Sequence, residues 1–144
     1  MQTDLEKVRR IAAADNHLAV VATTRADGSV QSSVVNAGVL PHPVSGELVV
    51  AFVTYGAVKL ANLRARPAVT LTFRAGWDWV AVEGRAELLG PDDGTLDPER
   101  VRLLLRDIFS AAGGHHDDWD AYDATMAAER RTAAMVEPQR VYSN

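Results

Sequence analysis

Short runs of apolar and β-branched residues, joined by tight turns, constrain this chain more than any other feature. Two such runs, residues 17–24 and 29–40, are separated by Asp27-Gly28, a dipeptide that favours a hairpin turn. Further strands are predicted over residues 47–54, 68–74, 77–89 and 132–142. Because turns and one short helix join the first five strands, the sequence predicts an antiparallel, mainly β barrel with short helices. We expect residues 1–144 to form one domain.

Helical segments are predicted at four places around this barrel. They cover residues 5–14, 58–66, 99–112 and 117–130. The second helix is expected to end before Pro67, because proline cannot donate the backbone hydrogen bond that continues a helix. Gly84 interrupts the fifth strand and is expected to mark a β-bulge at a bend of the barrel.

Composition narrows the class of protein. The chain is 47% hydrophobic and 24% charged, which is typical of a folded globular domain. It has no cysteine, which excludes disulfides and thiolate chemistry and favours a reducing cytoplasm. No run of 18 apolar residues occurs and the first ten residues do not look like a signal peptide, so we expect neither membrane insertion nor export. A net charge of −4 argues against a nucleic-acid partner.

The charge is distributed unevenly along the chain. Residues 48–77 contain four basic residues and none of the 19 acidic ones. The four are Lys59, Arg64, Arg66 and Arg74. Such a segment in an acidic protein indicates that an anionic small molecule binds there. The alternative is that Arg64 and Arg66 only complement the dipole at a solvated helix end.

The junction between the third strand and the second helix, residues 54–59, lies inside this basic segment. Free backbone N–H groups, the positive end of the helix dipole and Lys59 would together form an anion site. Ser32 and Ser33, on the neighbouring hairpin strand, are expected to reach the same anion with their hydroxyl groups.

Two tryptophans stand two residues apart at the start of the fifth predicted strand. Trp77 and Trp79 would therefore point to the same face of that strand. Two interpretations remain open for this pair. The indoles pack against a neighbouring subunit, or they form a flat wall for an aromatic ligand.

No familiar catalytic motif is present. The glycines fit neither dinucleotide nor phosphate loops, and no GxSxG sequence occurs. His115 and His116 precede two aspartates, but adjacent histidines do not share a helix face and the aspartates suit a helix start, so no metal site is predicted. His17 and His42 are interpreted as surface or core residues. No catalytic residue is assigned.

Four segments and a closing Arg-Val-Tyr carry a resemblance to a known family. They read HLAVVATTRADGSVQSSVVN, VKLANLRARPAVTLTF, GWDWVAVEGRAELL and HDDWDAYDATMAAERR. In this order they resemble the flavin-binding split barrel of the pyridoxamine-phosphate-oxidase-like superfamily. Within it, the chain is similar to the actinobacterial branch that uses the deazaflavin coenzyme F420. The resemblance covers residues 17–142.

The resemblance implies a homodimer with two cofactors at its interface. It implies that the second strand lies along the cofactor ring and that the strand-to-helix junction holds the phosphate. It also implies that the start of the fifth strand faces the ring, often from the partner. The corresponding residues here are Ser32, Ser33, Val34 and Val35 for the ring, Thr54, Lys59 and Asn62 for the phosphate, and Trp77 and Trp79 for the facing wall. Ala57 and Ala61 stand where the family commonly has further bases.

The function implied is an F420-dependent reductase that transfers a hydride to a small conjugated substrate. An FMN-dependent oxidase or reductase of the same fold is one alternative, and a non-catalytic carrier of flavin, deazaflavin or haem is another. A hydride-donating cofactor requires the protein mainly to orient two rings and exclude water, which accounts for the lack of an acid–base motif. Solvent or Tyr55 would supply any proton.

Overall fold

Six antiparallel strands close into a barrel in the computed structural model, which describes residues 2–144. The strands are β1 (Leu18–Thr24), β2 (Val30–Pro41), β3 (Leu48–Thr54), β4 (Ala68–Ala75), β5 (Asp78–Leu89) and β6 (Thr132–Ser143). The helices are α1 (Gln2–Ala14), α2 (Ala57–Ala65), α3 (Pro98–Ala111) and α4 (Trp119–Ala128). Around the barrel the strand order is β1, β2, β3, β6, β5 and β4. The predicted antiparallel, mainly β barrel is confirmed.

The β1–β2 hairpin forms at the predicted dipeptide. Gly28 has a φ of 86°, a conformation that glycine adopts without strain. The Asp27 carboxylate accepts hydrogen bonds from the Ser29 backbone N–H at 2.9 Å and from its hydroxyl at 2.6 Å. This local network sets the pairing of β1 with β2, in which Val20 lies opposite Val34.

The barrel interior forms one hydrophobic core. Alternate residues of the strands point inward, with Phe52 and Phe73 fully buried among them. Helix α1 adds Leu5, Val8 and Ile11 to this cluster, and α2 adds Leu60 and Leu63. These two helices therefore cover the barrel interior.

A second core lies outside the barrel, between β2, β3 and β6 and the helices α3 and α4. Leu40, Ala51 and Met135 pack there against Leu105 and Ile108. Helix α3 reaches the sheet closely at Gly38, where a Cβ atom would lie 2.5 Å from the backbone carbon of Ala111. The glycine thus fixes α3 against β2, beside the middle of β2 and the end of β3, which line the site described below.

The start of β5 differs from the prediction. Trp77 lies in the turn between β4 and β5, next to Gly76, whose φ is 64°. It is not part of the strand, so the prediction that Trp77 and Trp79 share a strand face is wrong.

The predicted bulge in β5 is confirmed: the pairing of β5 with β6 shifts between Glu83 and Gly84. A Cβ atom at Gly84 would lie 2.0 Å from the Glu137 carbonyl oxygen, so the close strand approach requires glycine.

Helix boundaries agree with the prediction to within three residues. Among the helices of residues 2–144, none is both long enough and apolar enough to cross a membrane.

Candidate functional site

A cavity of about 670 Å³ opens between the middle of β2, the end of β3 and the helices α3 and α4. We call it the main cavity. Val34 and Asn36 line it from β2, and Val53 and Thr54 from β3. Phe109, Tyr122 and Met126 line it from the two helices. Its size and its largely apolar wall are typical of a small-molecule site.

One end of the main cavity is the predicted junction from strand to helix. Helix α2 begins at Ala57, and its N-cap residue, Gly56, makes no side-chain capping hydrogen bond. The first backbone N–H groups of the helix therefore keep their donor capacity, and the helix dipole is positive at this end. Thr54 is buried beside them, with its hydroxyl oxygen 3.5 Å from the Gly56 nitrogen.

Lys59 contributes a half-buried cation to this end. Its ammonium nitrogen lies 5.8 Å from the centre of the Phe52 ring, and burial lowers its pKa. Within residues 2–144, no carboxylate oxygen lies within 4.0 Å of that nitrogen. A partly buried charge without a counter-charge is costly, so this lysine is suited to bind an anion in the cavity.

Arg131 is the second cation of the main cavity. Its guanidinium lies 3.7 Å from the centre of the Tyr55 ring and is hydrogen-bonded to a Glu129 carboxylate oxygen at 3.0 Å. The carboxylate offsets much of its charge, so Arg131 brings less net positive charge than Lys59 does.

The helical wall of the main cavity is aromatic. Phe109 and Tyr122 line it, and behind them these two rings form a cluster with His116 and Trp119, with ring centres 5.1–6.1 Å apart. The Tyr122 hydroxyl donates a hydrogen bond to the Leu105 carbonyl at 3.0 Å, and burial raises its pKa to about 12. Tyr122 therefore lines the cavity and connects α3 to α4, and its hydroxyl is not suited to act as a general acid near neutral pH.

The structure brings together four of the nine residues predicted to bind the cofactor: Val34, Val35, Thr54 and Lys59 line the main cavity. Ser32 is exposed on β2, and Ser33 turns its hydroxyl inward, where the atom is buried with no hydrogen-bond partner among the described residues. Neither serine lines the cavity.

Asn62 is also placed away from the main cavity. It is buried, and its amide nitrogen donates to the Thr23 hydroxyl at 3.2 Å. Its amide oxygen accepts from the Arg66 guanidinium at 3.2 Å. Arg66 also donates to the Thr24 carbonyl, and Arg64 lies 3.4 Å from an Asp93 carboxylate oxygen. The two arginines thus stabilise the end of α2, which is the alternative the sequence left open for them.

Trp77 and Trp79 do not reach the main cavity of their own chain. Trp77 is 92% exposed. Trp79 is half-buried on the outer face of β5, with its ring centre 6.1 Å from that of Tyr142 in an edge-to-face contact. Contact with a ligand in the main cavity would therefore require another copy of the chain.

Comparison with known protein families shows to which family the chain belongs. The family model described as "Pyridoxamine 5'-phosphate oxidase" matches residues 5–144, nearly the whole chain. The chain belongs to the pyridoxamine 5'-phosphate oxidase family. No curated protein sequence matches it significantly.

Solved structures share the fold of this family member at low sequence identity. A conserved hypothetical protein from Mycobacterium tuberculosis aligns with a TM-score of 0.68 and 18% identity, covering 96% of this chain and 82% of that one. An F420 reductase aligns with a TM-score of 0.59 and 20% identity, covering 88% and 90%. A pyridoxamine 5'-phosphate oxidase-related, FMN-binding protein from Nostoc punctiforme aligns with a TM-score of 0.61 and 14% identity, covering 99% and 80%.

A larger cavity of about 840 Å³ lies between α3, α4 and the loop that precedes α3. Its wall includes three carboxylates, those of Asp97, Glu99 and Asp123. Arg102 and Arg106 bind Asp123 and hold its pKa at about 2, mainly through the hydrogen bonds from Arg106. These charges satisfy one another and tie α3 to α4, so the main cavity is the better candidate for an anionic cofactor of this family.

Proposed function

We propose that this protein is an F420-dependent reductase that transfers a hydride to a small, planar conjugated substrate. The observation that carries the proposal is Lys59, a half-buried cation beside the uncapped start of α2, at one end of a largely apolar cavity. That arrangement suits a phosphate group joined to a flat ring system. The F420 reductase that shares the fold supports this choice.

The residues present fit a flavin-type cofactor. The phosphate would lie against Lys59, Thr54 and the first N–H groups of α2. The ring would lie along Val34 and Val35 of β2, opposite the wall that includes Phe109. When bound, the reduced deazaflavin supplies a hydride from its ring. The apolar side chains exclude water from the space beside the ring, where a substrate would stack.

The charge at this end suits the phosphate group of F420 better than the phosphate group of FMN. The phosphate of F420 is a diester with one negative charge, whereas the phosphate of FMN is a monoester with between one and two. Lys59 is unpaired within residues 2–144, Arg131 is largely offset by Glu129, and positions 57 and 61 are alanines. One lysine and a helix start match a single charge better than a double one.

A second copy of the chain completes the site in our proposal. One row of side chains runs across the outer face of five strands: Val34 on β2 pairs with Val20 on β1, and the row continues through Thr72, Ala81 and Tyr142. We call it the outer row. Its Val34, Val20 and Tyr142 are 63%, 45% and 42% exposed, and an apolar surface of this kind marks an interface.

The outer row joins the main cavity at Val34, which belongs to both. A homodimer that buries this row would bring Trp77 and Trp79 of one copy near the cavity of the other. The proposed enzyme works in the cytoplasm on a small molecule, without a nucleic-acid or membrane partner.

The test is a titration of the purified protein with F420 and, separately, with FMN, followed by absorbance and fluorescence. We expect F420 to bind more tightly than FMN. The reduced cofactor on the protein should then be reoxidised when planar quinones or nitroaromatics are added. Tighter binding of FMN would overturn the choice of cofactor. Bound F420 that no acceptor oxidises would favour a carrier instead of an enzyme.

A further inference from the structure

A second space adjoins the main cavity beside the start of β1. This space, which we call the His17 chamber, measures about 430 Å³. It shares three lining residues with the main cavity: Asn36, Phe109 and Ala112. Beyond them, Asn16 and His17 complete a wall with several polar side chains. A ligand that reached past Phe109 from the main cavity would therefore meet His17.

The backbone at His17 is held in an unfavourable conformation. Asn16 and His17 have φ angles of 57° and 58°, in the left-handed region that residues with side chains rarely adopt. Three hydrogen bonds keep it there. The His17 N–H donates to Ala12 at 2.7 Å, its carbonyl accepts from Ala37 at 2.9 Å, and the Asn36 side-chain amide donates to the Asn16 carbonyl at 2.9 Å. Strain of this kind persists where the surroundings fix it, and it is common at functional sites.

The imidazole ring is fixed as tightly as the backbone. Helix α3 ends against it at Gly113, where a Cβ atom would lie 2.6 Å from His17 Cδ2. Gly113 also has a φ of 82°, so both its conformation and its neighbour require glycine. Asn36, which lines both spaces, supports the turn that carries His17. The ring therefore keeps one position in the wall of the chamber.

Neither ring nitrogen of His17 has a hydrogen-bond partner among the described residues. Its Nδ1 is buried and accepts or donates no hydrogen bond among the described residues. A neutral imidazole carries its proton on one nitrogen only. A buried N–H group without an acceptor costs more free energy than a buried nitrogen lone pair without a donor. We therefore place the proton on Nε2. That leaves Nε2 as a donor for which residues 2–144 provide no hydrogen-bond acceptor.

We propose that His17 donates a hydrogen bond from Nε2 to an oxygen atom of the substrate, such as a quinone, ketone or nitro oxygen. His17 is then a positioning and specificity residue for the substrate, with Phe109 as the flat wall beside it. This inference rests on the proposed function, because the substrate must share the cavity with the cofactor. If His17 had only a structural role, its replacement would change the stability of the fold and leave ligand binding unaltered.

His17→Asn is the informative variant. Asparagine tolerates the left-handed region better than most residues, so the backbone turn should survive the change. His115→Asn is the matched control, because His115 is exposed and lies outside the residues that line the chamber. Thermal unfolding of both variants establishes that they fold.

The probes are 1,4-naphthoquinone and naphthalene, two flat bicyclic molecules of which only the quinone carries carbonyl oxygens. Binding is followed in cofactor-free and F420-loaded protein by NMR of ¹⁵N-labelled histidine side chains. We expect the naphthoquinone to shift the His17 ring signals and His17→Asn to weaken its binding about three- to tenfold, the value of one hydrogen bond. Naphthalene binding should be the same in wild type and variant, and the affinity for F420 should not change.

Three results would overturn the inference: a proton found on Nδ1, ring signals that naphthoquinone leaves unmoved, or equal effects of His17→Asn on both probes. The cofactor-free titration keeps the two proposals separate. If F420 fails to bind while naphthoquinone contacts His17, the choice of cofactor is wrong and the chamber is a ligand site. If F420 binds but naphthoquinone does not shift the His17 ring signals, only the assignment of the His17 chamber as a substrate site is wrong.

Discussion

Replacement of Lys59 by methionine separates the cofactor site from the stability of the fold. Methionine keeps a long apolar stem of similar length over Phe52 and removes only the charge. A charge-assisted hydrogen bond contributes about 1.5–3 kcal/mol. Loss of one such bond should therefore raise the dissociation constant of F420 by about 10- to 150-fold. Added salt should reduce this difference, because screening weakens the contact in the wild type.

The same change should not destabilise the cofactor-free protein. Lys59 is half-buried with no carboxylate within 4.0 Å among the described residues, so its charge has a desolvation cost without a counter-charge. Methionine removes that cost. We expect the variant to unfold at the same temperature as the wild type or at a higher one while it binds F420 more weakly. Damage to the hydrophobic core would instead lower both the unfolding temperature and the affinity for F420.

The pH dependence gives a second signature of Lys59. Burial lowers its pKa, so the folded protein holds this proton less tightly than the unfolded chain does. The free energy of unfolding without cofactor should therefore rise as pH increases through the lowered pKa toward the ordinary value of 10.5. Cofactor affinity should fall over the same range, since the neutral amine no longer attracts the phosphate. Lys59→Met should lack both trends.

Fluorescence titration at several salt concentrations measures the affinities, and calorimetry measures the unfolding. Arg64→Ala is the control, because it removes a positive charge from the same helix at a site that is exposed and paired with Asp93. The reasoning is refuted if Lys59→Met binds F420 as tightly as the wild type. It is also refuted if Arg64→Ala weakens binding as much as Lys59→Met does.

Three further expectations follow from the fold. Light scattering at micromolar concentration should give a mass of about twice 15.6 kDa for the wild type. Val34→Glu, in the outer row, should reduce that mass. A wild-type mass of 15.6 kDa would contradict the dimer. Asp123→Asn should lower the midpoint of thermal unfolding at neutral pH. Because the pKa of Asp123 is held at about 2, below the ordinary 3.8, its contribution is complete above pH 3.8 and lost as pH falls through 2, so unfolding of the variant should depend less on pH over this range. Gly38→Ala should cost about 1–3 kcal/mol of unfolding free energy, because the new methyl group meets the α3 backbone. Gly28→Ala meets nothing within 4 Å and should cost only about 1 kcal/mol for its φ of 86°; equal costs in urea unfolding would contradict the packing argument.

The strands and the junction between β3 and α2 could be predicted because their signals are local. Asp27-Gly28 specifies its own turn, and residues 54–59 contain the end of β3, the start of α2 and the lysine. Trp77 was assigned wrongly because an apolar, aromatic run continues through Gly76, and only the pairing of β4 with β5 shows that the chain turns there.

The helical wall could not be predicted, since it depends on contacts between distant residues. Phe109 and Tyr122 read as core positions of amphipathic helices, and nothing nearby indicates that they face Val34 on β2. The close contact at Gly38 decides where α3 sits, and a single glycine in a strand does not reveal its neighbour. Asn62 likewise reads as a helix residue near the lysine, whereas its amide hydrogen bonds with Thr23 and Arg66 bury it.

The two ends of the main cavity come from separate stretches of the chain. The proposed anion-binding end is contained in residues 54–59, while the helical wall that faces β2 comes from residues 108–126. Substitutions in α3 and α4 can therefore reshape the space for a substrate and leave the phosphate contacts intact. In the proposed reductase, selection can thus change the substrate without first losing the cofactor. For an engineer, α3 and α4 are accordingly the segments to randomise, and residues 54–59 are the segment to keep.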